Sequence, residues 1–191
     1  MSPAQVLDEW FGVLDSLGSA PPEKQKRWFS KDADFDQYLA AVFGEAVQKA
    51  AGGELDWDHR PDSNLARIIL LDQFTRNIYR GSPQMYAADA IARGLTQQLI
   101  QSGADQHFPL AHRTFTYMPL MHSESLRDQE ACVRCFEECL ASAPEETKAP
   151  LAFNLKYAKD HLNIVARFGR FPHRNAILGR ESTAEELDFL N

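Results

Sequence analysis

Apolar residues recur at intervals of three and four through most of this chain, and that spacing is typical of helices that bury one face. In the first such segment, Ser2-Pro3 supplies an N-cap followed by proline at the first helical position, and Gly18 ends the segment. Glycine and proline divide the rest of the sequence in the same way, without alternating β-branched residues between them. The pattern predicts an all-α fold of eight or nine antiparallel helices.

Capping residues and prolines predict where several of these helices begin and end. Asp62-Ser63 is expected to cap a helix that runs to about residue 79, and Ser82-Pro83 to begin one that ends at residue 103. Ser123 is expected to cap a long helix that ends near residue 143.

Two prolines and a capping motif predict further boundaries. Pro119 is expected to close a short helix that begins at residue 109, because proline cannot continue the backbone hydrogen bonds. Pro150 is expected in the first turn of a helix that ends at Phe168, where its missing N–H costs least. Residues 183–186 (TAEE) match a capping box and predict a last short helix.

Length and charge limit the classes of protein to which the chain can belong. A length of 191 residues favours one domain over residues 1–191, with a core that needs neither disulfide nor metal. The net charge of −7 argues against a nucleic-acid or anionic-membrane partner. No apolar run approaches the roughly 20 residues that span a bilayer, and no signal peptide is recognisable. Because three cysteines are an odd number, typical of reduced thiols, we expect a cytoplasmic protein.

The predicted helix over residues 65–80 carries charged side chains on its buried side. At about 100° per residue, its apolar side chains cover most of the circumference. Asp72 and Arg76 fall within about 20° of Leu65 and therefore continue a buried stripe. They are four residues apart and can form an ion pair, which either fixes helix register or serves a ligand. The same polar stretch also contains Gln73, Asn77 and Arg80.

Two further helices place polar residues among apolar ones. On the helix over residues 151–168, Asn154 and His161 lie between two apolar arcs. On the helix that follows Ser123, Gln129 lies among apolar side chains in the same way. Because buried polar groups must be hydrogen-bonded, these side chains either satisfy one another or converge on a ligand.

Residues 161–180 form a basic segment in an acidic protein. They contain four arginines, two histidines and no acidic residue, whereas residues 1–62 contain twelve acidic residues against six basic ones. The segment is therefore either an anion site or a partner for the acidic N-terminal third. Gly169 and Pro172 predict a loop here, and loops on a helical scaffold often present binding groups. Arginine suits carboxylate and phosphate because its planar group can bind both oxygens.

Five stretches carry long motifs: residues 10–12 (WFG), 70–81 (LLDQFTRNIYRG), 117–124 (YMPLMHSE), 167–175 (RFGRFPHRN) and 178–183 (LGREST). On these motifs the chain resembles, over essentially its whole length, the bacterial family catalogued as domain of unknown function 924. The resemblance implies a tetratricopeptide-like array of helices around one core, and it implies no activity. This chain has Thr75 where the family usually has proline, so we expect a straighter helix through Arg76.

Metal, nucleophile and cofactor chemistry have weaker support. A zinc site would require His122, Glu124, His161 and His173 to meet from three separate segments, so no metal is expected. Ser123 already serves as an N-cap, which disfavours a role as nucleophile. No glycine-rich phosphate loop is present, and no cofactor is expected. The cysteines share one side of their helix with apolar residues and are interpreted as small core residues: Cys132, Cys135 and Cys139.

The leading functional hypothesis is a helical binding protein. Its cleft would be lined by arginine, histidine and asparagine and would bind an anionic small molecule or an acidic peptide. The segments expected to form it are residues 72–80, residues 122–124, the helix around residue 161 and residues 167–180. The predicted ligand-binding residues are Asp72, Gln73, Arg76, Asn77, His122, Gln129, His161, Arg170, His173, Arg174, Asn175 and Arg180.

Two alternatives stand beside this hypothesis. One is a hydrolase acting on a phosphate or carboxylate ester, with His161 or His122 as general base, Glu124 as a further candidate catalytic residue and the arginines as electrostatic stabilisers. The other is a purely structural or oligomerisation protein in which every buried polar group is satisfied internally.

Overall fold

The computed structural model describes all of residues 1–191, and its regular structure is helical throughout. With residues 61–78 counted as one continuous helix there are nine α-helices, so the all-α prediction is confirmed. The tetratricopeptide-like arrangement stays a prediction. The helices are α1 Pro3–Phe11, α2 Pro22–Trp28, α3 Ala33–Ala51, α4 Pro61–Ile68 continued through Ile69–Phe74 and Thr75–Ile78, α5 Asp89–Gln101, α6 Leu110–Met121, α7 Leu126–Ser142, α8 Glu145–Phe168 and α9 Ala184–Leu190.

The chain divides into two compact units. The first comprises residues 1–80 and 84–119, and the second comprises residues 81–83 and 120–191. The assignment of residues 1–191 to a single domain stays a prediction. No helix in either unit combines the length and the apolar character that crossing a bilayer requires.

The core of the first unit is aromatic and forms around α1 and α4. Trp10 packs edge-on against Phe74 and Phe115, with ring centroids 5.5 Å apart in both pairs. The apolar side chains of α4 from Leu65 to Leu71 are completely buried, which agrees with the distribution of apolar residues around this helix. A helix buried on nearly every side must also satisfy its polar side chains within the protein.

The centre of α4 is a π-helix, Ile69–Phe74, between two α-helical stretches. A π-helical turn pairs each carbonyl with the N–H five residues later, and such turns occur frequently at functional sites. The Thr75 hydroxyl donates to the Leu71 carbonyl at 2.8 Å just beyond it. The expected straighter α-helix through Arg76 is therefore replaced by a widened turn just before that residue, which no local sequence signal indicated.

The second unit contains α7, α8 and α9. α7 packs along α8, and the buried side chains of α7 include Cys132, Phe136 and Cys139. Cys135 is half-buried, and none of the three cysteines forms a disulfide. Gly169 ends α8 in the left-handed conformation, at φ 69°, and donates its N–H to the Val165 carbonyl at 2.8 Å. This glycine turns the chain into the basic loop.

Three of the predicted helix starts differ from the structure. α4 begins at Pro61 rather than at Asp62-Ser63, because proline is favoured at the first helical position and the Ser63 hydroxyl donates instead to Asp58. α7 begins after Ser125 rather than Ser123, because the Ser123 hydroxyl donates to Asp128 at 2.8 Å and thereby holds the preceding turn.

The third difference follows Ser82. Residues Pro83–Tyr86 form a 3-10 turn, and α5 begins only at Asp89. The short turn brings the Tyr86 ring to 5.8 Å from the Arg76 guanidinium, a contact that the sequence pattern does not indicate.

Both predictions about proline are wrong in detail. Pro119 lies inside α6, which continues for two more residues to Met121, so its missing N–H removes a bond only near the helix end. Pro150 lies one turn further into α8 than expected, because that helix begins at Glu145. The capping box at Thr183 is confirmed: its side chain accepts from the Glu186 N–H, and the Glu186 side chain accepts from the Thr183 N–H.

Candidate functional site

The predicted ligand-binding residues fall into two groups, one in each unit. The first unit contains Asp72, Gln73, Arg76 and Asn77, all on α4. The second unit contains the other eight, together with Glu124, and most of them lie on α8 or in the loop that follows it: His122, Gln129, His161, Arg170, His173, Arg174, Asn175 and Arg180. Each group has its own network of hydrogen bonds.

In the first unit, Arg76 lies between two carboxylates. Its Nη1 is 3.3 Å from Asp72 Oδ1, which confirms the predicted pairing four residues apart on the helix. Nη1 and Nη2 also donate to the two carboxylate oxygens of Asp89, at 3.0 Å each. Burial opposes the charged form, but Asp72 and Asp89 more than offset it and raise the pKa of Arg76. The arrangement stabilises the turn that carries the π-helix.

Asp89 was missed by sequence reasoning. It lies in the first turn of α5, where an acidic residue is expected for local reasons, since it complements the helix dipole. Only the packing of α5 shows that this carboxylate binds Arg76 in bidentate fashion.

The other predicted residues of α4 also have protein partners. Gln73 Nε2 donates to Asp72 Oδ2 at 2.5 Å and lies 3.6 Å from the Met118 sulfur. Asn77 Nδ2 donates to Asp36 Oδ1 at 2.8 Å, and Arg80 binds the same carboxylate at 2.7 and 3.0 Å. Burial alone would raise the pKa of Asp36, but hydrogen bonds from Arg80 and Asn77 lower it. These contacts are those expected of a structural network.

In the second unit, Glu124 anchors the basic loop. It accepts from the Phe171 N–H at 2.8 Å and receives Arg180 in a bidentate pair at 2.7 and 2.9 Å. Burial opposes ionisation, yet Arg180 and the Phe171 N–H together lower the pKa of Glu124. A carboxylate engaged in this way positions the loop, and its geometry gives no support to a role as general acid.

Glu186 on α9 anchors the same loop from the other end. It receives Arg170 in a bidentate pair at 2.6 and 2.7 Å, and Asn175 Nδ2 at 3.3 Å. Arg170 and the Thr183 N–H lower the pKa of Glu186 to about 2. Sequence reasoning identified Glu186 only through its capping box, because its loop partners lie more than ten residues away.

Two imidazoles and one guanidinium surround the buried ring of Phe171. We call His161, Phe171, His173 and Arg174 the histidine cluster. The ring centroids of His161 and His173 each lie 5.5 Å from that of Phe171, and the Arg174 guanidinium carbon lies 4.6 Å from it. Arg174 is 7% exposed and donates from Nη2 to the His122 carbonyl at 2.9 Å. The structure thus brings three predicted residues together around Phe171, which the sequence marks only as part of the motif over residues 167–175.

Burial is the largest influence on the pKa of both histidines. It lowers the pKa of His161 and of His173, and the charge of Arg174 lowers both further, whereas the hydrogen bond to the Tyr157 carbonyl and the charge of Asp160 raise that of His161. Arg180 and the other imidazole add to the effect at His173, while Glu124 opposes it. Burial together with Arg174 therefore favours the neutral form of both imidazoles.

The hydrogen bonding of His161 fixes its tautomer. Its Nδ1 lies 2.8 Å from the Tyr157 carbonyl oxygen. Because a carbonyl oxygen can only accept, Nδ1 carries the proton of the neutral ring and Nε2 carries a lone pair. Nε2 makes no hydrogen bond within the protein, and it is not one of the buried side-chain atoms that lack a hydrogen-bond partner.

Gln129 donates hydrogen bonds to backbone carbonyls at the end of α6. Its side chain is completely buried, and Nε2 lies 2.6 Å from the carbonyl oxygens of both Met121 and Ser123. The last carbonyls of a helix have no partner within the helix, so Gln129 supplies one. The prediction that it is buried is confirmed, and its carboxamide stabilises the turn before α7. No three His, Cys, Asp or Glu side chains group as a metal site would require.

Comparisons with known proteins agree with the fold. The model of a family described as "Bacterial protein of unknown function (DUF924)" matches residues 6–191. A solved structure of a protein of unknown function, ATU0120 from Agrobacterium tumefaciens, is 37% identical. The match covers 99% of this chain and 96% of that one, with a TM-score of 0.79. A comparison with curated proteins finds no match.

Proposed function

Within the bacterial family of unknown function DUF924, to which this chain belongs, we propose that this member binds a small anion bearing a carboxylate or phosphate group. The binding groups are His161, His173 and Arg174 of the histidine cluster. The observation that carries the proposal is the arrangement of these side chains: the ring centroids of both histidines lie 5.5 Å from that of the buried Phe171, and the Arg174 guanidinium carbon lies 4.6 Å from it. An anion at this position would gain from the charge of Arg174 and from a hydrogen bond donated by His173.

The rigidity of the loop supports the proposal. Glu124 binds the Phe171 N–H at 2.8 Å, and the His122 carbonyl accepts from Arg174 at 2.9 Å, so the ring and the guanidinium are both held before any ligand arrives. A preorganised site spends less binding free energy on ordering its side chains. Arg170, Asn175 and Arg180 take part by fixing the loop.

A small anion is favoured over an acidic peptide because most of the loop's positive charge is already matched. Arg167 pairs with Glu185, while Arg170 and Arg180 pair with Glu186 and Glu124. An acidic peptide would need a row of available cations, whereas two imidazoles at one aromatic ring suit a single acidic group. The proposal leaves the α4 network and Gln129 in structural roles.

Two features support expectations about where the protein acts and what it does not bind. None of the three cysteines forms a disulfide, which suits a reducing cytoplasm, so we propose that binding takes place there. A net charge of −7 supports neither a nucleic acid nor an anionic membrane as partner.

Thermal unfolding with added anions tests the proposal. We expect inorganic phosphate, pyrophosphate, citrate or succinate to raise the melting temperature by several degrees at concentrations near 100 times Kd, where binding stabilises by about 2.7 kcal/mol. His173→Gln should weaken binding about tenfold without loss of the fold, because the His173 side chain reaches solvent. Arg167→Gln is the matched control, since Arg167 is exposed and pairs with Glu185. No stabilisation by any of these anions, or equal stabilisation of both variants, would refute the proposal.

A hydrolase acting on a phosphate or carboxylate ester is the second candidate. The observation that favours it is the unprotonated Nε2 of His161, which is a suitable general base at neutral pH. Turnover of p-nitrophenyl phosphate or p-nitrophenyl acetate would rise with pH through the pKa of His161 and fall in His161→Gln. Binding of anions without turnover of either ester would favour the binding protein.

A further inference from the structure

One side of α8 is apolar and remains largely exposed in the folded chain. Phe153 and Tyr157 lie one turn apart on it, with ring centroids 4.8 Å apart, and they are 58% and 47% exposed. Ile164 continues the same side and is half-buried. We propose that these residues, together with Lys156 and Asp160 at their edge, form a surface through which two copies of this chain associate. We call this surface the α8 face.

The α8 face is separate from the side of the helix that the fold covers. At about 100° per residue, Phe153, Tyr157 and Ile164 lie within about 40° of one another. The buried residues Leu151 and Ala158 lie about 130° away, and α7 packs along α8. A single exposed apolar side chain is ordinary on a protein surface, but adjacent aromatic rings in line with a third apolar residue are typical of an interaction surface.

The charges at the edge of the α8 face are arranged to complement a second copy. Lys156 Nζ lies 2.7 Å from Asp160 Oδ2, and both side chains are at least half exposed. Lys156 Nζ also lies 5.9 Å from the centroid of the Tyr157 ring, so the ion pair borders the apolar patch directly. The pair has no net charge, but it is positive at one end and negative at the other. The same pattern turned end for end is therefore its own complement.

A twofold axis beside Tyr157 satisfies the whole surface at once. The two α8 helices would run antiparallel, with the Tyr157 rings of both copies in contact and Phe153 of each copy against Ile164 of the other. Lys156 would lie beside Asp160 of the second copy, and each charge would keep the partner on its own helix. A partner recognised by charge of one sign would not match this alternation. The pairing uses no side chain of the histidine cluster, so it is independent of the proposed anion binding.

Sedimentation equilibrium of the full chain tests the proposal. We expect the mass to rise with concentration toward twice the chain mass of 21.6 kDa. A contact over about three helical turns is smaller than a permanent interface, so the dimer should dissociate on dilution. Phe153→Glu should raise the dissociation constant about tenfold or more, because it places a carboxylate against Ile164 of the second copy. Phe29→Glu, at an exposed phenylalanine of the first unit, is the matched control and should associate like the wild type.

Charge reversal tests the antiparallel pairing. Lys156→Glu and Asp160→Lys should each weaken self-association about tenfold, because each brings like charges together across the twofold axis. An equimolar mixture of these two variants should associate again, since each chain then supplies what the other lacks. Both variants keep a like-charge pair within their own helix, so recovery in the mixture reports a contact between copies. Circular dichroism should show that all these variants keep the helix content of the wild type.

Disulfide trapping locates the axis. Tyr157→Cys should form a covalent dimer under mild oxidation, because a twofold axis brings the same position of both copies together. Lys159→Cys should not, since Lys159 binds Glu137 of α7 at 2.8 Å on another side of α8. The wild type, with its own three cysteines, measures the background. A chain that stays monomeric up to about 100 µM would overturn the proposal. So would a dimer that Phe153→Glu leaves intact, a mixture that does not recover, or equal trapping at positions 157 and 159.

Discussion

Arg76 in the first unit and Arg174 in the second are both largely buried guanidinium groups, yet their surroundings differ in kind. Arg76 meets the carboxylates of Asp72 and Asp89, and its charge is matched twice. Arg174 lies 4.6 Å from the ring of Phe171, donates to a backbone carbonyl and lowers the pKa of two imidazoles. An arginine-rich sequence therefore does not identify an anion site, because the neighbours of each guanidinium depend on how the elements pack.

The comparison predicts its largest effect at Arg76. Arg76→Ala should lower the free energy of unfolding by about 3–5 kcal/mol, because it leaves the fully buried Asp72 without its cation. Urea denaturation monitored by circular dichroism measures the change. Arg80→Ala is the control, since Arg80 is more exposed and its pair with Asp36 should contribute about 1 kcal/mol or less. A decrease of less than about 1 kcal/mol in the free energy of unfolding of Arg76→Ala would contradict a structural role for Arg76.

The second prediction concerns acid stability and Glu186. The pKa of this carboxyl is about 2 in the folded protein, against an ordinary value of 4.5. The stabilisation from its ionised form is therefore complete above pH 4.5 and is lost as the pH falls toward 2. Glu186→Gln should be less stable than the wild type at pH 7, and the difference should narrow on acidification. A difference in urea midpoint between the two proteins that stays constant from pH 7 to pH 3 would contradict this.

The third and smallest predicted effect concerns amide hydrogen exchange at Phe171, whose N–H Glu124 accepts. Glu124→Gln should speed amide hydrogen exchange at Phe171 about tenfold, as expected if a charge-assisted bond worth about 1.4 kcal/mol is weakened. The Gly169 amide, which donates to the Val165 carbonyl at 2.8 Å, should keep its exchange rate. Equal acceleration at both amides would mean that α8 frays as a whole and that Glu124 does not hold the loop specifically.

Patterns within a single helix were predictable from the sequence, and contacts between helices were not. The helical periodicity identified the buried side of α4 and the pairing of Asp72 with Arg76, because both depend on positions along one helix. Asp89 and Glu186 were missed as partners of Arg76 and Arg170, because those contacts depend on how separate elements pack. The sequence thus located the arginines without showing which of them bind carboxylates of the same protein.

Local energetics also outweighed two simple sequence rules. Ser123 is a good N-cap residue, but its hydroxyl forms a stronger charge-assisted bond to Asp128, and the helix begins later. Pro119 was expected to end α6, but near a helix terminus proline removes only one backbone bond, so the helix continues past it. The π-helix left no sequence signal, because its hydrogen bonds depend on backbone geometry rather than on a particular side chain.

The π-helix over Ile69–Phe74 makes the polar half of α4 sensitive to chain length in a way that no substitution would reveal. A π-helical turn holds one residue more than an α-helical turn, so removing a single residue from this segment would let it close as an α-helix. Arg76, Asn77 and Arg80 would then stay on the sides of the helix that face Asp89 and Asp36. Removing a residue from the α-helical part before it would instead turn all three by about 100°, and we expect that deletion to be the more damaging of the two.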